Sequence, residues 1–310
     1  MAEEPTNCPK CGAAQPEGAL ECARCGIVFA RWQRLHDPDA PPPPQRPVPQ
    51  EGAAPAAGEE EGTPAIEREG WIALATGFGL ALLIYLIPLT RFLLSYLAVL
   101  VHELGHAIVS WLFGYPALPA FDFLFGGGFT PTWERSTILR IAVYAGIAAL
   151  FWLYRRNGAA LVALAVLTLL YSIAAITQAH QVVILLAGHG SELVFAGIFL
   201  FRAMKGSAIL HKVERPLYAM AGFFLLFGNL ALAHRLVTSE EARIAYEEAK
   251  GGGAWMDFSQ IARDFLHVEL PTTALIFLPM ILATPVVAWL VFRHEARLRR
   301  LLLRLLALAP

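Results

Sequence analysis

Residues 92–113 read FLLSYLAVLVHELGHAIVSWLF, and this stretch decides the fold. Twenty-two mostly apolar residues at 1.5 Å each match the hydrocarbon thickness of a bilayer, about 30 Å, so the stretch reads as a transmembrane helix. Ser95, His102, His106 and Ser110 follow one another at intervals of 7, 4 and 4 and form a single polar stripe on that helix. HELGH is an instance of H-E-x-x-H. Two imidazoles one turn apart can share a metal ion, and Glu103 beside them can take a proton from a water that the metal polarises. An ionisable group at membrane depth costs about 2.5–3.5 kcal/mol or more. A glutamate and two histidines together there argue for a working site over a hydrogen-bonded core cluster.

The flanking sequence repeats the apolar theme. Spans are expected at Trp71–Leu89, Phe92–Phe113, Ile138–Tyr154, Ala159–Thr177, Val182–Met204, Leu217–His234 and Leu270–Phe292. The chain has 310 residues, 56% hydrophobic and 16% charged, with a mean hydropathy of +0.53. That composition exceeds what a soluble domain carries. The net charge of −1 gives no footprint for nucleic acid, and none is expected as a partner. The expected fold is an all-α polytopic membrane protein of about six to seven transmembrane helices, with a small N-terminal zinc ribbon and a disordered linker.

The ribbon, residues 1–36, is read from CPKCGAAQPEGALECARCG. Cys8/Cys11 and Cys22/Cys25 form two C-x-x-C-G knuckles, and four thiolates suit a closed, structural zinc site. The alternatives are two disulfides or a C-x-x-C redox pair. Residues 37–70 are rich in Pro, Ala, Gly and Glu and read as an extended tether. Residues 71–292 form the multi-span domain. Residues 293–310 place Arg293, Arg297, Arg300 and Arg304 on one face and leucines opposite, the pattern of a basic helix on an anionic bilayer surface.

A catalytic zinc takes three protein ligands and keeps one position open. The fifth block, VVILLAGHGSELVFAGIFLF, offers His189 and Glu192 on one helix face, with Glu192 preferred as third ligand. A His189–Glu192 clasp without metal is the alternative. His180 is expected at the interface, Asn229 and His234 in interhelical hydrogen bonds, and Asp257, Asp264 and His267 on the solvated surface of a long loop. Residues 117–130, ALPAFDFLFGGGFT, read as a strand or re-entrant element beside the site, where an extended substrate could pair.

HELGHAIVSWLFGYP followed by a Gly-rich aromatic loop resembles the site-2 protease family of intramembrane zinc metalloproteases, its sporulation-protease-like branch in particular. The resemblance covers roughly residues 92–200. It implies zinc on His102 and His106, Glu103 as general base, a β-like segment after the HELGH helix, and cleavage of a peptide bond in or near a membrane-protein substrate's span. The family completes its metal site with an Asp from an N-P-x-x-D or D-G motif on a later span, which this sequence lacks. His189 or Glu192 would substitute, and a Glu ligand resembles the prenyl-protein-processing class of membrane zinc proteases. The expected cofactors are therefore two Zn2+, one catalytic and one structural.

A different class of function is a catalytically inactive membrane adaptor or metal-binding scaffold whose ribbon recruits a protein partner. The chain is expected in the cytoplasmic (inner) membrane. Arg155/Arg156, the 202–215 stretch and the tail fall on one side, which the positive-inside rule assigns to the cytoplasm. Seven crossings would then put the ribbon outside, whereas unoxidised paired thiols favour a ribbon in the cytoplasm, which requires that one block is re-entrant or that the basic bias misleads.

Overall fold

The computed structural model describes residues 7–16, 19–29, 32, 64–122, 127–207, 209–252 and 256–307. The chain divides into two units, Met1–Gly62 and Thr63–Pro310. In the first, both knuckles close alike: Gly12 N donates to Cys8 O and Gly26 N to Cys22 O, each at 2.8 Å. Both glycines have positive φ, 71° and 68°, which explains their place after each second cysteine. Gln15 ties the knuckles together by donating to Ala13 O and accepting from Ala23 N. The tether expected at 37–70 lies outside the described residues up to position 63.

The second unit is helical. Its elements are α1 (Arg68–Leu86), α2 (Pro88–Leu112), β1 (Ala120–Asp122), β2 (Gly127–Phe129), α3 (Thr137–Leu153) and α4 (Gly158–Ile176). They continue with α5 (Ala179–Lys205), α6 (Glu214–Thr238), α7 (Glu240–Gly252), α8 (Asp257–Gln260), a π-helix (Ile261–Leu266), α9 (Leu270–Arg293) and α10 (Glu295–Leu306). Six helices, α1, α2, α4, α5, α6 and α9, are long and apolar enough to cross a membrane. The expected third span is the exception: α3 has only 17 residues and none of them is buried. The chain is an integral membrane protein by this architecture.

Lipid tails are as apolar as leucine, so membrane helices associate where small residues let backbones approach. That rule locates the core. α5 packs against α2, α6 and α9, and α1 packs against α6. A methyl group at Gly105 of α2 would overlap Ala187 O and Ser191 of α5, and one at Gly77 of α1 would overlap Ala219 of α6. Leu225, Leu236, Phe277 and Ile281 fill the centre, while Leu167, Leu170 and Ile176 of α4 point outward as lipid-facing groups do.

The contacts also order the helix ends. Gly70 at the start of α1 meets Met204 near the end of α5, and Arg215 at the start of α6 donates to Ala203 O and Met204 O. At the opposite end, Tyr171 of α4 donates to Leu112 O, where α2 finishes. α1 and α2 together therefore carry the chain from one end of the bundle to the other once.

One sequence expectation changes in part: Asp257, Phe258, Ser259, Ile261 and Ala262 between α6 and α9 are buried, whereas Asp264 and His267 are exposed as expected. The strand expected within 117–130 is present as Ala120–Asp122 and Gly127–Phe129, with Ala120 paired to Phe129 and Asp122 to Gly127 in an antiparallel register.

Gly77→Ala should lower the thermal unfolding midpoint in detergent, since overpacking a tight contact costs about 1–3 kcal/mol. Gly79→Ala, which meets open space, should leave it unchanged or slightly raised. Equal behaviour of the two variants would show that the α1–α6 contact does not need its glycine.

Candidate metal centre

α2 and α5 run antiparallel at the site, and two glycines make room for it. Gly188 of α5 leaves space that a methyl group would fill against the Nε2 atoms of both His102 and His106. Gly128 of β2 lies directly over Glu103 in the same way. His106 Nδ1 donates to Ile184 O at 2.7 Å, and His102 Nδ1 donates to Glu192 Oε1 at 2.7 Å. Each ring thus spends its Nδ1 proton on an acceptor and turns the Nε2 lone pair inward, the arrangement in which a hydrogen-bond partner fixes the tautomer of a ligating histidine.

The third donor comes from α8. Asp257 Oδ2 lies 3.1 Å from His102 Nε2 and 3.1 Å from His106 Nε2, and those two nitrogens are 3.0 Å apart. Asp257, expected on the solvated surface, is 9% exposed. Phe258 fixes the segment: it is 1% exposed, stacks on His189 at 4.6 Å and meets Phe277 at 5.1 Å.

The fit to a metal can be judged from these donors. A tetrahedral zinc with bonds of about 2.0–2.1 Å separates nitrogen and oxygen ligands by about 3.3–3.4 Å. The three donors need to open by only a few tenths of an ångström. With both Nδ1 protons committed, two lone pairs and a carboxylate oxygen otherwise face one another, which a cation relieves.

Glu192, the residue preferred from sequence as third ligand, is turned to the far side of His102. It accepts from Asn229 Nδ2 at 2.5 Å, and His189 Nδ1 donates to Asn229 Oδ1 at 3.0 Å. His102, His189 and Glu192 form a second group close enough to hold an ion. There, however, Glu192 already accepts the His102 Nδ1 proton and His189 Nδ1 serves Asn229. Asn229 therefore does make the interhelical hydrogen bonds expected of it, and makes them inside the site. His180, expected at the interface, is 7% exposed and bonds the Tyr115 hydroxyl at 2.9 Å.

Glu103 is 5% exposed and accepts from the Thr130 hydroxyl at 2.7 Å. It lines a cavity of about 1130 Å³ together with the three donor residues, Thr130 and Ser110. Ser110, the last member of the polar stripe, is fully buried there and its hydroxyl has no protein partner. Ser95, the first member, instead donates to Phe92 O within its own helix.

In the N-terminal unit Cys8 and Cys25 sulfurs are 3.7 Å apart and Cys11 and Cys22 sulfurs 3.6 Å. All four cysteines are free thiols placed to hold a metal ion. Tetrahedral zinc with sulfur bonds of about 2.3 Å spaces its sulfurs by about 3.8 Å, so these fit as well.

Comparison of the chain with protein-family models, with curated proteins and with solved structures found no match.

Metal analysis of the full-length protein tests the donor assignment. Wild type should hold two zinc ions per chain, and Asp257→Ala or His102→Ala one. Glu192→Gln should keep two at saturation but bind the second about 10–100-fold more weakly, as loss of an orienting partner does. Gly188→Ala should weaken the same ion although it removes no donor. Two ions in Asp257→Ala, with one in Glu192→Gln, would transfer the ligand role to Glu192.

Proposed function

We propose that the chain is an intramembrane zinc metalloendopeptidase, hydrolysing a peptide bond in or near the transmembrane segment of a membrane-protein substrate. The observation that carries this reading is the convergence of His102 Nε2, His106 Nε2 and Asp257 Oδ2 beside Glu103, at the edge of a cavity inside a membrane-type bundle. An aspartate donor also brings the set closer to what the site-2 protease resemblance implies, although it arrives without the family's motif and from outside the spans.

His102, His106 and Asp257 would hold the zinc, which supplies Lewis acidity toward water and the scissile carbonyl. The remaining steps belong to the chain. Glu103 takes the proton of the attacking water and later returns it to the leaving amine. Thr130 holds one oxygen of that carboxylate, leaving the other for the water. Glu192, positioned by Asn229, keeps the His102 ring in the tautomer with Nε2 free. A spanning substrate has its backbone hydrogen-bonded in a helix, so the cleaved stretch must unwind first. The β1–β2 pair beside Glu103 offers extended backbone against which an unwound strand can pair.

The positive-inside rule assigns orientation. Arg155 and Arg156 precede α4, Lys205 ends α5 and Arg293 ends α9, all at the bundle end where α1 begins. We place that end in the cytoplasm of a cytoplasmic-membrane protein. Because α1 begins at that end, the chain enters α1 from the cytoplasm.

Glu103→Gln tests the mechanism. It should retain both zinc ions and reduce cleavage of a reconstituted transmembrane substrate by at least about 10²–10⁴-fold, the range a general base contributes. Undiminished cleavage in that variant would refute the role of Glu103. Two zinc ions without Glu103-dependent cleavage by any chain variant would leave a metal-binding scaffold.

A further inference from the structure

α10 is the most amphipathic helix of the membrane unit, and none of its residues is buried. Turning 100° per residue, Arg297, Arg300 and Arg304 fall within an arc of about 60°, and Leu298, Leu302 and Leu306 lie on the other side, with Arg299 at the edge of that leucine face. Leu298 is 44% exposed, Leu302 55% and Leu306 51%. The described residues leave that face uncovered.

The two ends of α10 are anchored to different helices. Glu295 at its start pairs with Lys205 at the end of α5, directly after α9 delivers the chain at Arg293. At its finish, Asn157 Nδ2 donates to Arg304 O at 2.8 Å and to Ala307 O at 3.0 Å. The same Asn157 caps α4, its Oδ1 accepting from Ala160 N. The start of α4 and the ends of α5 and α9 mark a single boundary of the bundle. A twelve-residue helix is about 18 Å long. Fastened at both ends to that boundary, α10 lies across it and cannot project away from it.

The charge at this boundary is one-sided. Exposed Arg155 and Arg156 stand beside Asn157, and exposed Arg293, Arg297, Arg299, Arg300 and Arg304 follow along α9 and α10. Among the described residues the acidic groups nearby are engaged: Glu295 by Lys205, Glu67 and Glu69 each 3.7 Å from Arg215, and Glu214 by the Leu210 and His211 N–H groups. Trp152 and Trp289 carry Arg155 and Arg293 over their rings at 4.6 and 5.4 Å, the aromatic and cationic mixture of a headgroup layer.

We propose that α10, with the Arg155–Arg156 turn, is a docking surface for anionic phospholipid in the leaflet at this end of the bundle. The leucine face enters the acyl boundary, and the arginines bind the phosphates as forked donors. The site is independent of the metal centre, which lies toward the opposite end of α5.

Hydrogen exchange over residues 295–306 tests it, with the full-length protein in nanodiscs of phosphatidylcholine alone or with about 30% phosphatidylglycerol. Exchange should slow about tenfold or more in the anionic discs. The triple variant R297Q/R300Q/R304Q should lose that difference, and R297K/R300K/R304K should restore most of it. Unchanged protection of α5 and α6 verifies that each variant is folded. Equal slow exchange in both lipids would mean that the helix is held by its leucines and protein contacts alone. Full slowing in the glutamine variant would remove the arginines from the site. Fast exchange in both discs would leave the face open to a protein partner. Any of these three results overturns the proposal.

Discussion

The structure depends on the cost of bringing electron pairs together where water cannot screen them. Three carboxylates, Glu103, Asp257 and Glu192, and three imidazoles meet among five helices of low polarity. An unpaired buried charge is among the most destabilising things a fold can contain. Nearly every nearby feature answers that problem. Asn229 bridges Glu192 and His189; Ile184 O takes the Nδ1 proton of His106; Thr130 reaches down to Glu103. What these protein groups leave unanswered is the triangle of His102, His106 and Asp257, and a cation is the simplest group that answers it.

Such convergence requires backbones to come close, and that need sets the packing. Gly105 and Gly188 let α2 and α5 approach until imidazoles rest on helix backbone, and Gly128 lets a strand cover Glu103. The surrounding aromatic groups act on position. Phe258 wedges between His189 and Phe277, so the short α8 segment is held by ring contacts as well as by its carboxylate. The polar site and its apolar collar are therefore one packing unit.

Much of this was legible in the sequence because the signals were periodic or paired. Apolar blocks of bilayer length, two C-x-x-C-G knuckles and a His–His interval of four each translate directly into geometry. Asp257 was not legible. A single aspartate in a polar, Gly-rich connection carries no spacing that points to two histidines more than 150 positions earlier, and the default for such a residue is solvent. A weaker clue was present: Phe258, Ile261 and Ala262 stand at helical spacing and mark an apolar face to bury, which places the preceding aspartate at the rim of the core. Glu192 was ambiguous for the opposite reason. Its cost in the membrane demands a partner, but that demand does not say whether the partner is a metal or a histidine Nδ1. The third apolar block, Ile138–Tyr154, is the shortest of the seven at seventeen residues, and its helix has the same length and no buried face.

The separation of the donors along the chain has a temporal meaning. Asp257 is 151 positions beyond His106, so during synthesis α2 through α6 enter the bilayer while the donor triangle has only two corners. Two imidazoles make a loose hold for a divalent ion. The third corner arrives just before α9, the last long helix of the bundle. A chain stalled or truncated before that point carries HELGH in full but only two of the three donors. Placing the final donor late ties a complete donor set to a nearly complete bundle.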